Sequence, residues 1–205
     1  MTAPIARRQA VHDFKRQAIL KAAGTIFAEQ GLEGATIRAI AAAAGYTPGA
    51  IYAYYDSKEA IYGDMLGESL GQLARSVKAA AAGAGADRYR VAAAARAFYD
   101  FYRGHPRELE LGLYLANGMR ANGLTPELDR QLNGRLIAVL QTLSNAIAAY
   151  AGVPDAVAHR ETVLLTASLC GILLLQATGR LKVLGQDGDS LVDQAIADLL
   201  ERLAE

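Results

Sequence analysis

The sequence predicts an all-α fold in which a three-helix head at the N-terminus precedes a larger helical body. Apolar residues recur at helical spacing in almost every segment, and no segment alternates with period two for long enough to predict a strand. Helix start signals are clear, because Thr47–Pro48 and Thr125–Pro126 each place a capping side chain before a proline at the first helical position. We therefore expect a head over residues 1–56 and a body over residues 57–205.

Composition bounds the class of protein. The chain has 205 residues, of which 52% are apolar and 20% are charged, values that suit a globular protein and exclude a disordered one. The formal net charge is zero, so binding to nucleic acid would have to rest on a local basic patch. A single cysteine, Cys170, excludes an internal disulfide framework and is typical of the reducing cytoplasm, where we expect the protein to reside.

The head begins with a helix predicted over about residues 12–30. Its broad apolar face can support the two shorter helices that follow, which could not bury enough surface alone. Gly31 is expected to end this helix, since glycine accepts conformations that close a helix. Residues 1–10 lack an apolar period and are predicted to form a mobile tail.

Residues 36–58 carry the most informative pattern in the chain. Thr36 can cap a short helix that Gly45 ends, and Thr47 then caps a second helix that starts at Pro48 and runs to about Tyr54. Two short helices joined by a tight turn form a helix-turn-helix. Such a unit places its second helix in the major groove of DNA.

This stretch resembles the TetR family of transcriptional regulators, over about residues 15–66. The resemblance implies a homodimer that binds a double-stranded DNA operator, acts as a repressor and is released by a small-molecule effector. It assigns residues 1–56 to DNA binding and residues 57–205 to ligand binding and dimerisation. The matching positions are Ile19, Ala22, Ala23, Phe27, Gly31, Ala35, Thr36, Ile40, Ala41, Ala44, Gly45, Thr47, Gly49, Ile51, Tyr52, Tyr54, Tyr55, Ser57, Lys58 and Glu59.

The candidate DNA contacts divide by chemistry. Small residues at the start of the second helix let base edges come close, whereas tyrosine hydroxyls and a lysine can donate to phosphates. The second helix has no Arg, Lys, Asn or Gln for bidentate reading of a base, so Arg38 is the nearest candidate for a base contact. The predicted DNA-binding residues are Thr36, Arg38, Thr47, Pro48, Gly49, Ala50, Tyr52, Tyr54 and Lys58.

The marked basic cluster of the chain adjoins this motif. Residues 7–21 contain five basic residues against Asp13 alone. Those in the predicted tail are either solvated or form an arm that follows DNA phosphates or enters the minor groove. The five basic residues are Arg7, Arg8, Lys15, Arg16 and Lys21.

The body is predicted to contain helices over about residues 57–82, 87–103, 106–116, 125–151, 154–178 and 190–203. Glycine-rich or proline-containing segments separate them. Ser190 with Asp193 three residues later resembles a capping box and is expected to start the last helix.

A ligand pocket is expected between helices of the body, because such sites are mostly apolar with a few orienting polar groups. The alternative is ordinary core for the rings and a turn for the asparagine. The candidate ligand-binding residues are Phe98, Phe101, Tyr102, Tyr114, Asn117 and Met119.

The helix over residues 164–175 is apolar around most of its circumference and needs cover on more than one side. A partner chain could supply that cover; a large monomer core is the alternative. A membrane span is not expected, because residues 162–177 fall short of the roughly 20 residues needed. The candidate dimer-interface residues are Ala167, Ser168, Gly171, Leu174, Ile196 and Leu200.

An enzyme, a metal site and a cofactor are not expected. His12, His105 and His159 are far apart, and none has a His or Cys partner at helical spacing for a metal. Cys170 lies among apolar residues, which favours a buried structural thiol over a nucleophile. Two other functions stay open: a helical module that binds a small molecule or protein without sequence-specific DNA binding, and an unrecognised hydrolase or lyase.

Overall fold

The computed structural model describes residues 3–112 and 124–204. Within these residues the chain forms ten helices and no strand, which confirms the all-α prediction. The helices are α1 (Ala3–Gly34), α2 (Ile37–Ala44), α3 (Pro48–Tyr52), α4 (Lys58–Gly83), α5 (Asp87–Gly104), α6 (Pro106–Gly112), α7 (Pro126–Ala151), α8 (Asp155–Ala177), α9 (Arg180–Val183) and α10 (Gly188–Arg202).

The first helix is longer than the sequence predicts at its N-terminal end. Residues 3–10 are helical, so the predicted helix start near residue 12 is wrong, while the mobility predicted for residues 1–10 stays a prediction. Alanine, arginine and glutamine favour helix intrinsically, and Pro4 stands in the first turn, where its missing N–H costs nothing. At the other end, Gly31 has φ 68° and ψ 173°, which breaks the regular helix at the position expected.

The helix-turn-helix has the local structure that its sequence predicts. The Thr36 hydroxyl accepts a hydrogen bond from the Ala39 amide, and Gly45 closes α2 in the left-handed conformation at φ 73°. The Thr47 hydroxyl accepts from the amide of Ala50 at 3.3 Å. The second helix is two residues shorter than expected, since α3 ends at Tyr52.

Three later helices are also capped by side chains, and in one of them the cap is not the predicted residue. The Ser57 hydroxyl accepts from the Ala60 amide at 3.1 Å ahead of α4, and Thr125 accepts from Leu128 at 3.2 Å ahead of α7. The exception is α10, where the predicted start at Ser190 is wrong and the cap is Asp187. The short helix α9 was not expected from the sequence.

The chain divides into two compact units. Unit 1 comprises Met1–Glu68 and Glu110–Leu132, and unit 2 comprises Ser69–Leu109 and Asn133–Glu205. The predicted boundary between residues 56 and 57 stays a prediction. Side chains with at most 1% of their surface exposed form the centre of each core: Ile19, Ala23, Ile40, Ile51, Ile61 and Tyr62 in unit 1, and Leu73, Val91, Tyr99, Ile147, Leu169 and Leu199 in unit 2.

Among the described residues, α8 is the one helix that is long and apolar enough to cross a membrane. Length and composition are weak evidence for a membrane span, because the core helix of a soluble protein meets the same criteria. Part of α8 is covered within unit 2, where α5, α9 and α10 pack against it.

Candidate functional site

The helix α3 is anchored on one side and open on the other. Ile51 is completely buried and holds α3 on the core of unit 1. The side chains at the start of the helix point away from that core, since Thr47, Pro48 and Gly49 are exposed and Ala50 is half-buried. A row of small exposed groups at a helix N-terminus can approach a nucleic-acid groove closely.

The α2 candidates, Thr36 and Arg38, are both exposed. The Thr36 hydroxyl already accepts the amide of Ala39 at 3.1 Å, so its first role is to cap the helix. Arg38 is two residues further along, where its guanidinium is open to solvent and available to a base or a phosphate.

The two tyrosines predicted to contact DNA have different surroundings. Tyr52 has 55% of its surface exposed, an unusual fraction for so large a ring, and its hydroxyl can donate to a phosphate. Tyr54 is half-buried and packs against the ring of His12, with ring centroids 4.7 Å apart and planes inclined by 33°. This contact leaves no pattern in the sequence, because His12 lies in α1 and Tyr54 in the turn after α3, 42 residues further along the chain.

Lys58 has a role that the sequence did not reveal. Its ammonium donates hydrogen bonds to the carbonyl oxygens of Glu33 at 2.9 Å and Ala35 at 3.0 Å. These carbonyls lie where α1 ends, and carbonyls at a helix C-terminus have no partner within the helix. Lys58 therefore fixes the start of α4 against the end of α1. The assignment of Lys58 to a phosphate stays a prediction.

A charged cluster holds α1 to α4 behind the helix-turn-helix. The Arg16 guanidinium donates two hydrogen bonds to the Asp64 carboxylate, at 2.9 and 2.7 Å, and pairs with Glu68 at 2.7 Å. The Tyr55 hydroxyl donates to the same Asp64 carboxylate at 2.6 Å. The hydrogen bond to Asp64 raises the pKa of Arg16, whereas burial and then the bond to Asp64 raise that of Tyr55. Arg16 therefore stays charged and Tyr55 stays neutral at neutral pH. Ionic contacts hold the platform under α3 in addition to its apolar core.

The predicted ligand-binding residues lie only partly within the described structure. Phe98, Phe101 and Tyr102 are buried on α5 of unit 2, and the Tyr102 ring meets both phenylalanines edge-on at centroid distances of 5.1 and 5.2 Å. Tyr114, Asn117 and Met119 lie outside the described residues. The ligand-binding role of all six stays a prediction.

Polar groups accompany these rings in unit 2. Burial raises the pKa of the Cys170 thiol, which keeps it protonated and unreactive at neutral pH. Burial also raises the pKa of Tyr102, and proximity to Cys170 adds to the effect. Within the described part of the chain, the buried Thr166 hydroxyl has no hydrogen-bond partner. A buried hydroxyl without a partner can donate a hydrogen bond to a bound ligand or accept one from it.

The predicted dimer-interface residues fall into two sets. On α8, Ala167 and Ser168 are exposed and Gly171 and Leu174 are half-buried. On α10, Ile196 and Leu200 are buried in the core of unit 2, with 6% and 4% of their surface exposed. The α8 set is therefore open to a partner, while the α10 set is already covered by its own chain; the dimer assignment stays a prediction for both.

The apolar surface of α8 extends beyond the predicted residues. Val163 and Leu164 have 47% and 52% of their surface exposed, and both lie on the same helix as the exposed residues Ala167 and Ser168.

Over residues 3–112 and 124–204, no three His, Cys, Asp or Glu side chains come close enough together to form a metal site.

Protein-family models match both the N-terminal and the C-terminal part of the chain. Residues 19–65 match the family model described as bacterial regulatory proteins, tetR family. Residues 91–199 match a second model, the C-terminal domain of tetracyclin repressor-like proteins, and this match spans more than half of the chain.

The similarity to a named repressor covers about a third of the chain. The chain is 41% identical over 66 residues to the HTH-type transcriptional repressor KstR2 of Rhodococcus jostii, a match that covers 32% of this chain and 32% of that protein. The match thus spans about a third of that relative's length.

Solved structures share the whole fold at low identity. FadR from Bacillus subtilis in complex with stearoyl-CoA has a TM-score of 0.71 at 19% identity, covering 90% of this chain and 97% of that chain. A regulatory protein in the tetR family from Rhodococcus RHA1 has a TM-score of 0.73 at 17% identity, covering 92% and 96%. The two model matches, the exposed helix-turn-helix and the shared fold agree, and the chain belongs to the TetR family of bacterial regulatory proteins.

Proposed function

We propose that this protein is a sequence-selective DNA-binding transcriptional regulator that acts in the cytoplasm as a homodimeric repressor and leaves its operator when a small molecule binds. The observation that carries the proposal is the open face of α3. Thr47, Pro48 and Gly49 are exposed there, while Ile51 fixes the helix from behind. A helix held in this way can enter a major groove without rearrangement of the head.

Recognition of DNA bases by α3 differs from recognition by a helix that carries arginine. The side chains of Thr47 and Ala50 can make apolar contacts with thymine methyl groups, and the threonine hydroxyl can bond a base edge when its cap bond allows. Arg38 on α2 supplies a guanidinium that can bond guanine. Tyr52 donates a hydrogen bond from its hydroxyl to a DNA phosphate, and Lys58 donates one from its third N–H. Such phosphate contacts position the head on DNA without reading the base sequence.

Two heads are needed to read an operator with two half-sites, and α8 offers a surface for pairing. Val163 and Leu164 are exposed apolar groups, and Ala167 and Ser168 are small exposed groups on the same helix. Small residues allow two helices to approach closely, and a two-fold pairing would place the same patch on both protomers. The dimer interface is thus assigned mainly to α8.

Release by a ligand requires that the ligand bind two states of the protein unequally. Unit 2 supports a ligand site through its buried aromatic cluster on α5 and the unpartnered Thr166 hydroxyl. The similar FadR structure is a complex with stearoyl-CoA, so a protein of this fold is able to bind a small molecule.

The test is a gel shift with DNA from immediately upstream of the gene, using Gly49→Leu. A Cβ added at Gly49 meets nothing within 4 Å, so the variant should fold normally. Its side chain would fill the gap between α3 and the bases, and we expect specific binding to fall toward the non-specific level, a loss of roughly 10³-fold or more.

Gly134→Leu is the matched control, because Gly134 lies in α7, is exposed and likewise has nothing within 4 Å of an added Cβ. It should bind as wild type does. If wild-type protein forms no sequence-selective complex with genomic fragments at low salt, the proposal fails and the helical binding module without DNA recognition takes its place.

A further inference from the structure

The N-terminal part of α1 projects basic side chains that the core of unit 1 does not use. The helix begins at Ala3, well before the first core residue, Ile19. Over residues 6–15 every side chain is exposed. Burial of apolar surface therefore does not explain why this extension is attached to the head.

One aromatic contact fixes the extension beside α3. The His12 ring packs on Tyr54 with centroids 4.7 Å apart, and Tyr54 follows the end of α3 by two residues. Both residues belong to unit 1. The side of α1 that carries His12 therefore borders the end of the helix proposed to enter the groove.

Helical periodicity places two cations on this same side. At about 100° per residue, Arg8 lies about 40° and Lys15 about 60° from His12 around the helix axis. Arg7 lies about 140° away from His12, on the side of Phe14, which is 72% exposed. Arg8 and Lys15 thus share the side of α1 that carries His12, and Arg7 does not.

These two cations have no anionic partner within the described residues, unlike the next basic residue along the helix. Arg16 is held by Asp64 and Glu68. The one acid nearby, Asp13, accepts from Gln9 at 2.9 Å and lies 3.5 Å from His12. In a chain with no net charge, two unpaired cations beside α3 are a local attraction for an external polyanion.

We infer that Arg8 and Lys15, oriented by the packing of His12 on Tyr54, form a second DNA contact that binds the phosphate backbone beside the groove occupied by α3. The inference rests on the proposed DNA-binding function and extends it. Contacts of this kind carry no sequence information, so they add affinity and lengthen the footprint without changing operator choice.

The first experiment measures how DNA affinity depends on salt for the double variant Arg8→Gln with Lys15→Gln. Glutamine keeps the helix propensity and removes both charges. Fluorescence anisotropy is recorded with the upstream duplex and with a scrambled duplex of equal length. Each phosphate contact contributes about 0.9 to the slope of log K against log salt. We therefore expect the slope to fall by about 1.8 for each bound protomer, or about 3.6 for a dimer on both half-sites. Affinity for both duplexes should fall by the same factor.

The control variants test whether the position of the removed cations matters, and not only the number of charges removed. Arg7→Gln removes a cation from the other side of the same helix, and Arg180→Gln with Lys182→Gln removes two exposed cations from unit 2. Both should leave the slope within about half of one phosphate contact of wild type. A double variant at residues 8 and 15 whose slope matches wild type, or falls no further than that of Arg7→Gln, would overturn the inference.

A second experiment does not depend on loss of binding. Cys170 is only half-buried, so it is first replaced by serine, and a maleimide-linked iron chelate is then attached to Arg8→Cys in that background. We expect it to cut the DNA backbone next to the protected half-site, whereas a chelate on Arg180→Cys should not. Equal cutting by the two probes would contradict the inference. If the wild-type protein selects no DNA sequence at all, both the proposed function and this inference fail. If the wild-type protein binds DNA selectively but the double variant has an unchanged salt slope, only the inference fails.

Discussion

Gly188 illustrates how single residues are constrained in this protein. It is buried at the first position of α10, where the Tyr99 hydroxyl donates to the Gln176 side-chain oxygen at 2.6 Å. A Cβ at position 188 would lie 2.6 Å from that oxygen and 2.7 Å from the hydroxyl. A side chain at position 188 therefore fits only if Tyr99 or Gln176 moves away from it.

Gly188→Ala is predicted to destabilise the protein by about 1–3 kcal/mol, because overpacking displaces Tyr99 or Gln176. The measurement is the free energy of unfolding in urea. Gly134→Ala, in an exposed helical position with nothing near its Cβ, should instead stabilise by about 0.5–1 kcal/mol. Equal effects of the two substitutions would contradict the crowding seen at Gly188.

At the scale of an element, several helices start at a side chain that caps them. Thr36, Thr47 and Thr125 each accept an amide three residues ahead, as their sequence positions predict. The start of α10 differs, because the Asp187 carboxylate accepts both the Ser190 amide at 2.9 Å and the Ser190 hydroxyl at 3.0 Å. An aspartate one turn earlier thus replaces the predicted Ser190 cap and adds a turn to the helix.

The Asp187 cap gives a prediction about pH. Hydrogen bonds from the amide and then the hydroxyl of Ser190 lower the pKa of Asp187 in the folded state. A lowered folded-state pKa means that the cap stabilises the protein above the ordinary aspartate pKa and that this advantage is lost as pH falls through the lowered value. The difference in Tm between wild type and Asp187→Ala should therefore be largest at neutral pH and shrink in acid.

Asp187→Asn is the control for titration, because asparagine also caps helices but does not ionise. Its Tm relative to Asp187→Ala should stay constant with pH. A wild-type advantage over Asp187→Ala that persists undiminished to pH 2 would show that the carboxylate charge plays no part in the cap.

For the whole molecule, the open apolar side of α8 is the feature that a single chain leaves unexplained. Val163 and Leu164 are about half exposed, and Gly171 has nothing within 4 Å of an added Cβ. An exposed apolar patch of this kind marks an interaction site. Pairing of two copies through α8 would cover it and give the two heads that an operator with two half-sites needs.

Gly171→Leu is predicted to weaken dimerisation while leaving the protomer folded. The added side chain has free space within the chain but would stand in the path of a closely approaching partner helix, raising the dimer Kd by roughly 10-fold or more. Sedimentation velocity over a range of concentrations measures this. Gly134→Leu serves as the control, and a Gly171→Leu protein that stays as dimeric as that control would place the interface elsewhere.

The sequence by itself determined the helical class, most helix boundaries and the outward face of α3, because each depends on residues within one turn of one another. The hydroxyl of Thr47 and the ring of Pro48 act on the next turn of backbone, and the spacing of Ile51 shows which side of α3 is buried. Tertiary structure alone decided the ionic contact between Arg16 and Asp64, which lie 48 residues apart, and the seat of Lys58 on the carbonyls of Glu33 and Ala35. It also decided that the basic N-terminal helix lies beside the end of α3, through the packing of His12 on Tyr54. Contacts between distant residues form only when the chain has folded and leave no periodic pattern in the sequence.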